Sequence, residues 1–250
     1  MARRTFEVYR GTAADGKLEN YDVEVEPGMV VLDAIFRIQA GESPDLAVRW
    51  NCKAGKCGSC GCEINGRPKL SCMTRISDYP DGESITVTPM KAFPIIKDLV
   101  TDVSQNYRAN KKIPQFRPRP KDAEDGWRMY QFEVDKAQEM RKCIECFLCQ
   151  DVCHVLRSHG KHEEFAGPAY MVRTAAFSMN PIDTVDRIEF LKETGGIGYC
   201  NITKCCTEVC PEHITITDNA IIPLKERVVD RYYDPIKALV RLVRRGGKNG

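Results

Sequence analysis

Asn51-Cys52-Lys53-Ala54-Gly55-Lys56-Cys57-Gly58-Ser59-Cys60 sets three cysteines apart by four and then two residues, and Cys72 follows after eleven more. Soft thiolates at this spacing match the plant-type pattern for a 2Fe-2S cluster. A short loop must wrap such a cluster with several sulfurs inward and its backbone N–H groups free to bond the cluster sulfides. Gly55, Gly58 and Gly61 permit that tight path, because a residue without Cβ turns freely. Cys72, from a separate hairpin, closes the set. A zinc knuckle on Cys57 and Cys60 is the alternative, although zinc sites rarely need a glycine at nearly every gap.

Downstream, Cys143-x2-Cys146-x2-Cys149-x3-Cys153 is the bacterial ferredoxin run. In that run the fourth cysteine ligates the other cluster of a two-cluster domain. His154 stands where a proline is usual. Cys200-x5-Cys206-x3-Cys210-Pro211 restores the Cys-Pro ending. Exchanging the last cysteines assigns Cys143, Cys146, Cys149 and Cys210 to a 4Fe-4S cluster. Cys153, Cys200 and Cys206 are left, and three thiolates suit a 3Fe-4S cluster. Zinc pairs or disulfides are the bland alternative. Cys62 and Cys205 remain as free thiols near the clusters. Cys205 adjoins Cys206, so it is also a candidate fourth ligand that would make the last cluster 4Fe-4S.

Working outward, the chain has 250 residues and 13 cysteines, too many for an ordinary cytosolic enzyme and too few for a small disulfide scaffold. No apolar run is long enough to span a bilayer. Arg3-Arg4 has no apolar stretch behind it, so no export signal is read and a cytoplasmic protein is expected. The net charge is +2, with six basic residues and one acid in the last 20 positions. The charge is a tail feature, and no nucleic-acid partner is expected. Phe6 and Val8, then Tyr21, Val23 and Val25, alternate as in a hairpin. Val31–Gln39 reads as a helix, Asn65-Gly66 as a tight hairpin turn and Ser84–Thr88 as a strand. Residues 89–120 hold five prolines and read as a surface connector. From Glu133 onward the periodicity is helical, with further helices expected over Pro168–Met179, Thr184–Lys192 and Asp234–Arg245.

This order of motifs resembles the iron-sulfur subunit of succinate dehydrogenase and fumarate reductase, the respiratory complex II family. Asn51–Cys60 is similar to the family's first motif and Phe93–Val100 to its segment joining the domains. Cys200–Pro211, with Ala220-Ile221 and Leu224-Lys225, is similar to its last cluster motif and closing helix. The resemblance implies an α+β chain: a β-grasp 2Fe-2S ferredoxin domain over 1–105 and an α-helical ferredoxin domain over 106–250. It implies a flavoprotein partner that carries FAD and the dicarboxylate site, a membrane anchor and a quinone. Electrons would pass from flavin through the 2Fe-2S, 4Fe-4S and 3Fe-4S clusters to quinone, with no catalytic residue on this chain. It also implies a peripheral place on the cytoplasmic side of a prokaryotic membrane. Succinate oxidation is the first reading. Fumarate reduction, or a related flavoprotein complex with a non-quinone partner, is the alternative.

Three positions depart from the family. His154 and Ser158 stand where a proline and a tryptophan are common, and Asn201 where a histidine is. These positions help form the family's quinone site, so its usual geometry is not carried over. His154, His159 and His162 are close in sequence, and a solvated loop beside a cluster is the preferred reading over a metal site. Ile236, Leu239, Val240 and Val243 share helical spacing, with Lys237, Arg241, Arg244 and Arg245 on other faces. That helix either packs on its own domain or docks on the anchor or on anionic headgroups.

Overall fold

The computed structural model describes residues 2–235, so the expected terminal helix lies, from residue 236 on, outside the described residues. Strands β1 (Ala2–Arg10) and β2 (Lys17–Val25) form a long antiparallel hairpin. Phe6, Val8, Tyr21 and Val23 are buried on one face, as their alternation requires. Helix α1 (Val31–Ala40) lays Val31, Leu32, Ala34, Ile35 and Ile38 inward. Strands β3 (Gly61–Ile64) and β4 (Arg67–Leu70) are joined at Asn65-Gly66. Both turn residues have positive φ, 48° and 74°, as a two-residue hairpin of this twist demands. Strand β5 (Ile85–Thr88) runs parallel to β1 and antiparallel to β3. The sheet order is β2-β1-β5-β3-β4. Sheet and helix enclose one apolar core, which includes Cys62.

Strand β3 is buried on both faces, with Cys62, Glu63 and Ile64 all inaccessible. The helical half covers its second face. A larger core runs continuously from Leu32, Cys60, Leu70 and Cys72 through Met90 and Phe93 into that half. There, helix α6 (Pro168–Ser178) is central, with Met171, Val172, Thr174 and Ala175 fully enclosed.

The segment 89–120 differs from the expected surface connector. It forms a small hairpin, β6 (Ile95–Lys97) and β7 (Val100–Thr101), and a helix α2 (Ser104–Lys111). Asp98, Leu99, Asn106 and Ile113 are buried. The reason is polar. Asp98 accepts from the backbone N–H of Gly11 (2.7 Å) and Ala47 (2.8 Å), and from Arg10 Nε (3.2 Å), pinning the segment to the sheet. Helix α3 (Gln131–Arg141) follows. The helix expected over Thr184–Lys192 forms only as α7 (Ile188–Glu193). Asp183 and Asp186 take the N–H groups of Val185 and Ile188, and Thr184 N bonds Arg117 O at 3.0 Å. These local acceptors draw the first residues out of the helix.

Candidate metal centres

The loop after Trp50 curls around the first set of thiols. Lys53, Gly55 and Gly58 have φ of 52°, 66° and 70°, which turns successive N–H groups inward. Ala54 N and Lys56 N donate to Cys52 Sγ at 3.4 and 3.3 Å. The N–H of Ser59 reaches Cys57 and lowers its thiol to about 6, and that of Gly55 reaches Cys72. Cys52 contacts Cys57, and Cys60 contacts Cys72. Burial pushes the Cys72 thiol up to about 11. The site is therefore one-sided: Cys52 is exposed, whereas Cys60 and Cys72 are buried.

The second set converges from distant sequence. Helix α4 (Leu148–Asp151) carries Cys149, and the loop before it carries Cys143 and Cys146. Cys210 arrives from the far end of the chain. These four cysteines line one apolar cavity with Ala169, Val172, Pro211, Ile214 and Ile216. Burial raises all three thiols of the first run, Cys146 to about 12.

Two further short helices, α5 (His154–Arg157) and α8 (Cys205–Glu208), carry part of the third set, and Cys200 follows the tight turn Ile197–Tyr199. Cys153 caps α5, and Cys206 lies in α8 with its thiol raised to about 11 by burial. Cys153, Cys200 and Cys206 are mutual neighbours, and Cys205 is among them. Cys205 Sγ lies 3.5 Å from Val152 O and 3.2 Å from Thr203 Oγ1. Cys62 is remote from this set, inside the sheet core.

Glu145, Phe147, Ile202 and Lys204 also hold positive φ, between 53° and 64°. Each such turn costs about 1–3 kcal/mol and clusters at functional loops. Here the turns aim N–H groups at sulfur: Glu145 N–H reaches Cys143, and Leu148 N–H reaches Cys146. The sequence offers no glycine at these places to announce them.

The donor sets suit iron-sulfur clusters. Buried thiols stay protonated unless positive charge sits among them, and bound metal supplies that charge. The inward N–H groups provide donors for an anionic sulfur cluster. Among the described residues, no three His, Cys, Asp or Glu groups are arranged to hold a single metal ion. His154, the first residue of α5, and His159 are exposed, and burial lowers half-buried His162.

The sets touch one another. A Cβ on Gly58 would stand 2.8 Å from Cys146 Cα and 2.9 Å from Ile144 O, so the first loop rests on the backbone of the second. Lys56 Nζ meets Glu212 Oε1 at 3.4 Å across the same contact. Cys149 neighbours Cys206 of the third set. Sequence reasoning did not find Glu63 and Asp151, two fully buried acids that face each other between the halves. Burial, followed by the charge of Glu63, holds the Asp151 carboxyl up near about 7.

Comparison with known proteins places this geometry. A model of a 2Fe-2S iron-sulfur cluster binding domain matches residues 5–108, and one of a 4Fe-4S dicluster domain matches residues 139–214. A chain of the Mycobacterium smegmatis Sdh1 complex in the apo form superposes with a TM-score of 0.90 at 59% identity, covering 94% of this chain and 98% of that one. The fumarate reductase iron-sulfur subunit of Mycobacterium tuberculosis is 33% identical over 78% of this chain and 79% of its own length. The succinate dehydrogenase iron-sulfur subunit of Bacillus subtilis is 31% identical over 80% and 81%. An uncharacterized iron-sulfur protein of Methanococcus maripaludis is 32% identical, and the matched region spans 42% of its length.

Proposed function

Because the chain belongs to the family of succinate dehydrogenase and fumarate reductase iron-sulfur subunits, we propose that it links an FAD-bearing flavoprotein to a quinone site completed by a membrane anchor. The single observation that carries this reading is the continuity of three thiol sets: the first loop rests on the backbone of the second, and Cys149 of the second neighbours Cys206 of the third. Bound clusters supply one-electron redox chemistry.

Cys52, Cys57, Cys60 and Cys72 hold the 2Fe-2S cluster in a β-grasp, plant-type domain over 1–105. In a helical domain over 106–250, Cys143, Cys146, Cys149 and Cys210 hold the 4Fe-4S cluster. Cys153, Cys200 and Cys206 hold a 3Fe-4S cluster. Cys205 at the third set supports a second reading, in which that cluster is 4Fe-4S.

The residues around the sets have separate tasks. Inward N–H groups orient the sulfurs, and the apolar lining of the second set excludes water. Exposed Trp50 and Met73 flank the first loop and support a flavoprotein face there. Near Cys200, exposed Tyr199, Val229 and Tyr233 line an apolar groove beside Lys225, which suits an anchor subunit. Among the described residues no helix is long and apolar enough to cross a membrane. A peripheral place on the cytoplasmic face, held by partners, fits that surface.

The similarity to the Sdh1 chain supports succinate oxidation, and the fumarate reductase relatives support the reverse direction as the second reading. The test is native purification followed by succinate-to-quinone and quinol-to-fumarate assays. Co-purification of a flavoprotein and a hydrophobic subunit, with faster succinate oxidation, is expected. A water-soluble partner and no quinone reduction would contradict the proposal.

A further inference from the structure

Glu63 lies on β3, three residues past Cys60, and has no exposed surface. Arg157 Nη1, on α5, stands 2.7 Å from its Oε1, and Lys91 Nζ stands 3.1 Å from its Oε2. Neither ion pair is aligned as a hydrogen bond, and both carboxylate oxygens lack one. Asp151, between Cys149 and Cys153, faces the same carboxylate. Its Oδ1 accepts from Ala92 N at 2.9 Å, while its Oδ2 is buried without a hydrogen bond. Cys62 Sγ neighbours Cys60, Glu63 and Asp151. One charged node therefore joins the strand after the first thiol set, the segment 91–92 and the helices that carry the next two sets.

Such a node is a poor device for stability. Taking charges out of water is costly, and a buried ion pair seldom returns more than that cost. An apolar residue on β3 would pack against the same helices more cheaply. What a buried carboxylate adds is a fixed charge in a low-dielectric contact, where its field is little screened. Cluster potentials respond to local charge.

We propose that Glu63 is a positioning residue for electron transfer: clamped by Arg157 and Lys91, it fixes the strand after the first cysteine loop against the helical half, where it faces Asp151 beside Cys149, and sets the charge felt at the first two thiol sets. The inference rests on the cluster assignment under Proposed function. A negative charge here opposes electron arrival at its neighbours and lowers their reduction potentials, and Arg157 offsets it.

The test is an EPR-monitored redox titration of the native complex, with iron content measured alongside. Glu63→Gln, made in an Asp151→Asn background so that the facing carboxyl cannot ionise in its place, should raise the midpoint potentials of the 2Fe-2S and 4Fe-4S clusters. Arg157→Met should lower them. Lys91→Met, whose side chain is more than half exposed, should give a smaller lowering in a variant expected to fold. Opposite shifts with iron content unchanged support the inference. Unmoved potentials, or shifts of the same sign in Glu63→Gln and Arg157→Met, overturn it, since a packing defect has no charge sign. A wild-type complex without cluster signals would overturn the cluster assignment itself, and this inference with it.

Discussion

The first cysteine loop and the second thiol set meet one chemical demand in opposite surroundings. The loop at Cys52–Cys60 is local and half-solvated. Its N–H groups do the holding, and they lower the Cys57 thiol to about 6. The set of Cys143, Cys146, Cys149 and Cys210 is assembled by the tertiary fold in a dry cavity, where burial raises Cys146 to about 12. The first site is therefore organised before metal arrives. The second depends on metal to offset the cost of its buried thiolates. Electron entry from a partner suits the exposed site, and relay suits the enclosed one.

The largest effect should come from Cys210→Ser. It removes the one ligand that ties the far end of the chain to the second set. Loss of about four of about nine irons is expected, with a lowered melting temperature by circular dichroism and retained 2Fe-2S and 3Fe-4S signals. Loss of all three signals together would erase the contrast between the sites. Next is Gly58→Ala, which strikes where the sites touch. A Cβ at φ 70° meets the Cys146 backbone, and strain of about 1–3 kcal/mol is expected. Denaturant unfolding should show that loss, and rapid-mix EPR should show slower equilibration between the first two clusters.

A third contrast is chemical. In metal-free protein, iodoacetamide at pH 7 should label Cys57 well before Cys146, as followed by mass spectrometry. The folded Cys57 thiol is depressed, so stabilisation by its thiolate is present above the ordinary thiol range and lost as pH falls through about 6. Labelling should fall over that same window, and equal rates at both cysteines would count against the contrast. The smallest effect is Cys62→Ala. This thiol packs in the sheet core, so roughly 1 kcal/mol of stability should be lost with iron content unchanged.

Legibility follows the same division. The loop Cys52–Cys60 and the Asn65-Gly66 turn were readable because their causes are local: ligand spacing, positive φ and alternation. The exchange of Cys153 and Cys210 rests on the known ferredoxin run and on no local signal. Glu63 was not readable, since nothing near it in sequence says that β3 is covered on both faces. Its partners Asp151 and Arg157 come from the other half of the chain. The positive-φ turns at Glu145, Phe147, Ile202 and Lys204 use ordinary residues and leave no mark. Residues 89–120 looked like a connector because proline and basic residues dominate their composition. One buried acid, Asp98, anchors them instead.

The proposed assignment places three clusters in three neighbouring thiol sets. Iron and sulfide analysis with EPR on the native complex, air-oxidised and then dithionite-reduced, tests it most directly. About nine irons per chain are expected, with a 3Fe-4S signal in the oxidised sample and a 2Fe-2S signal on reduction. About ten irons without the oxidised signal would move Cys205 into the third set. Zinc in place of iron would overturn the cluster assignment.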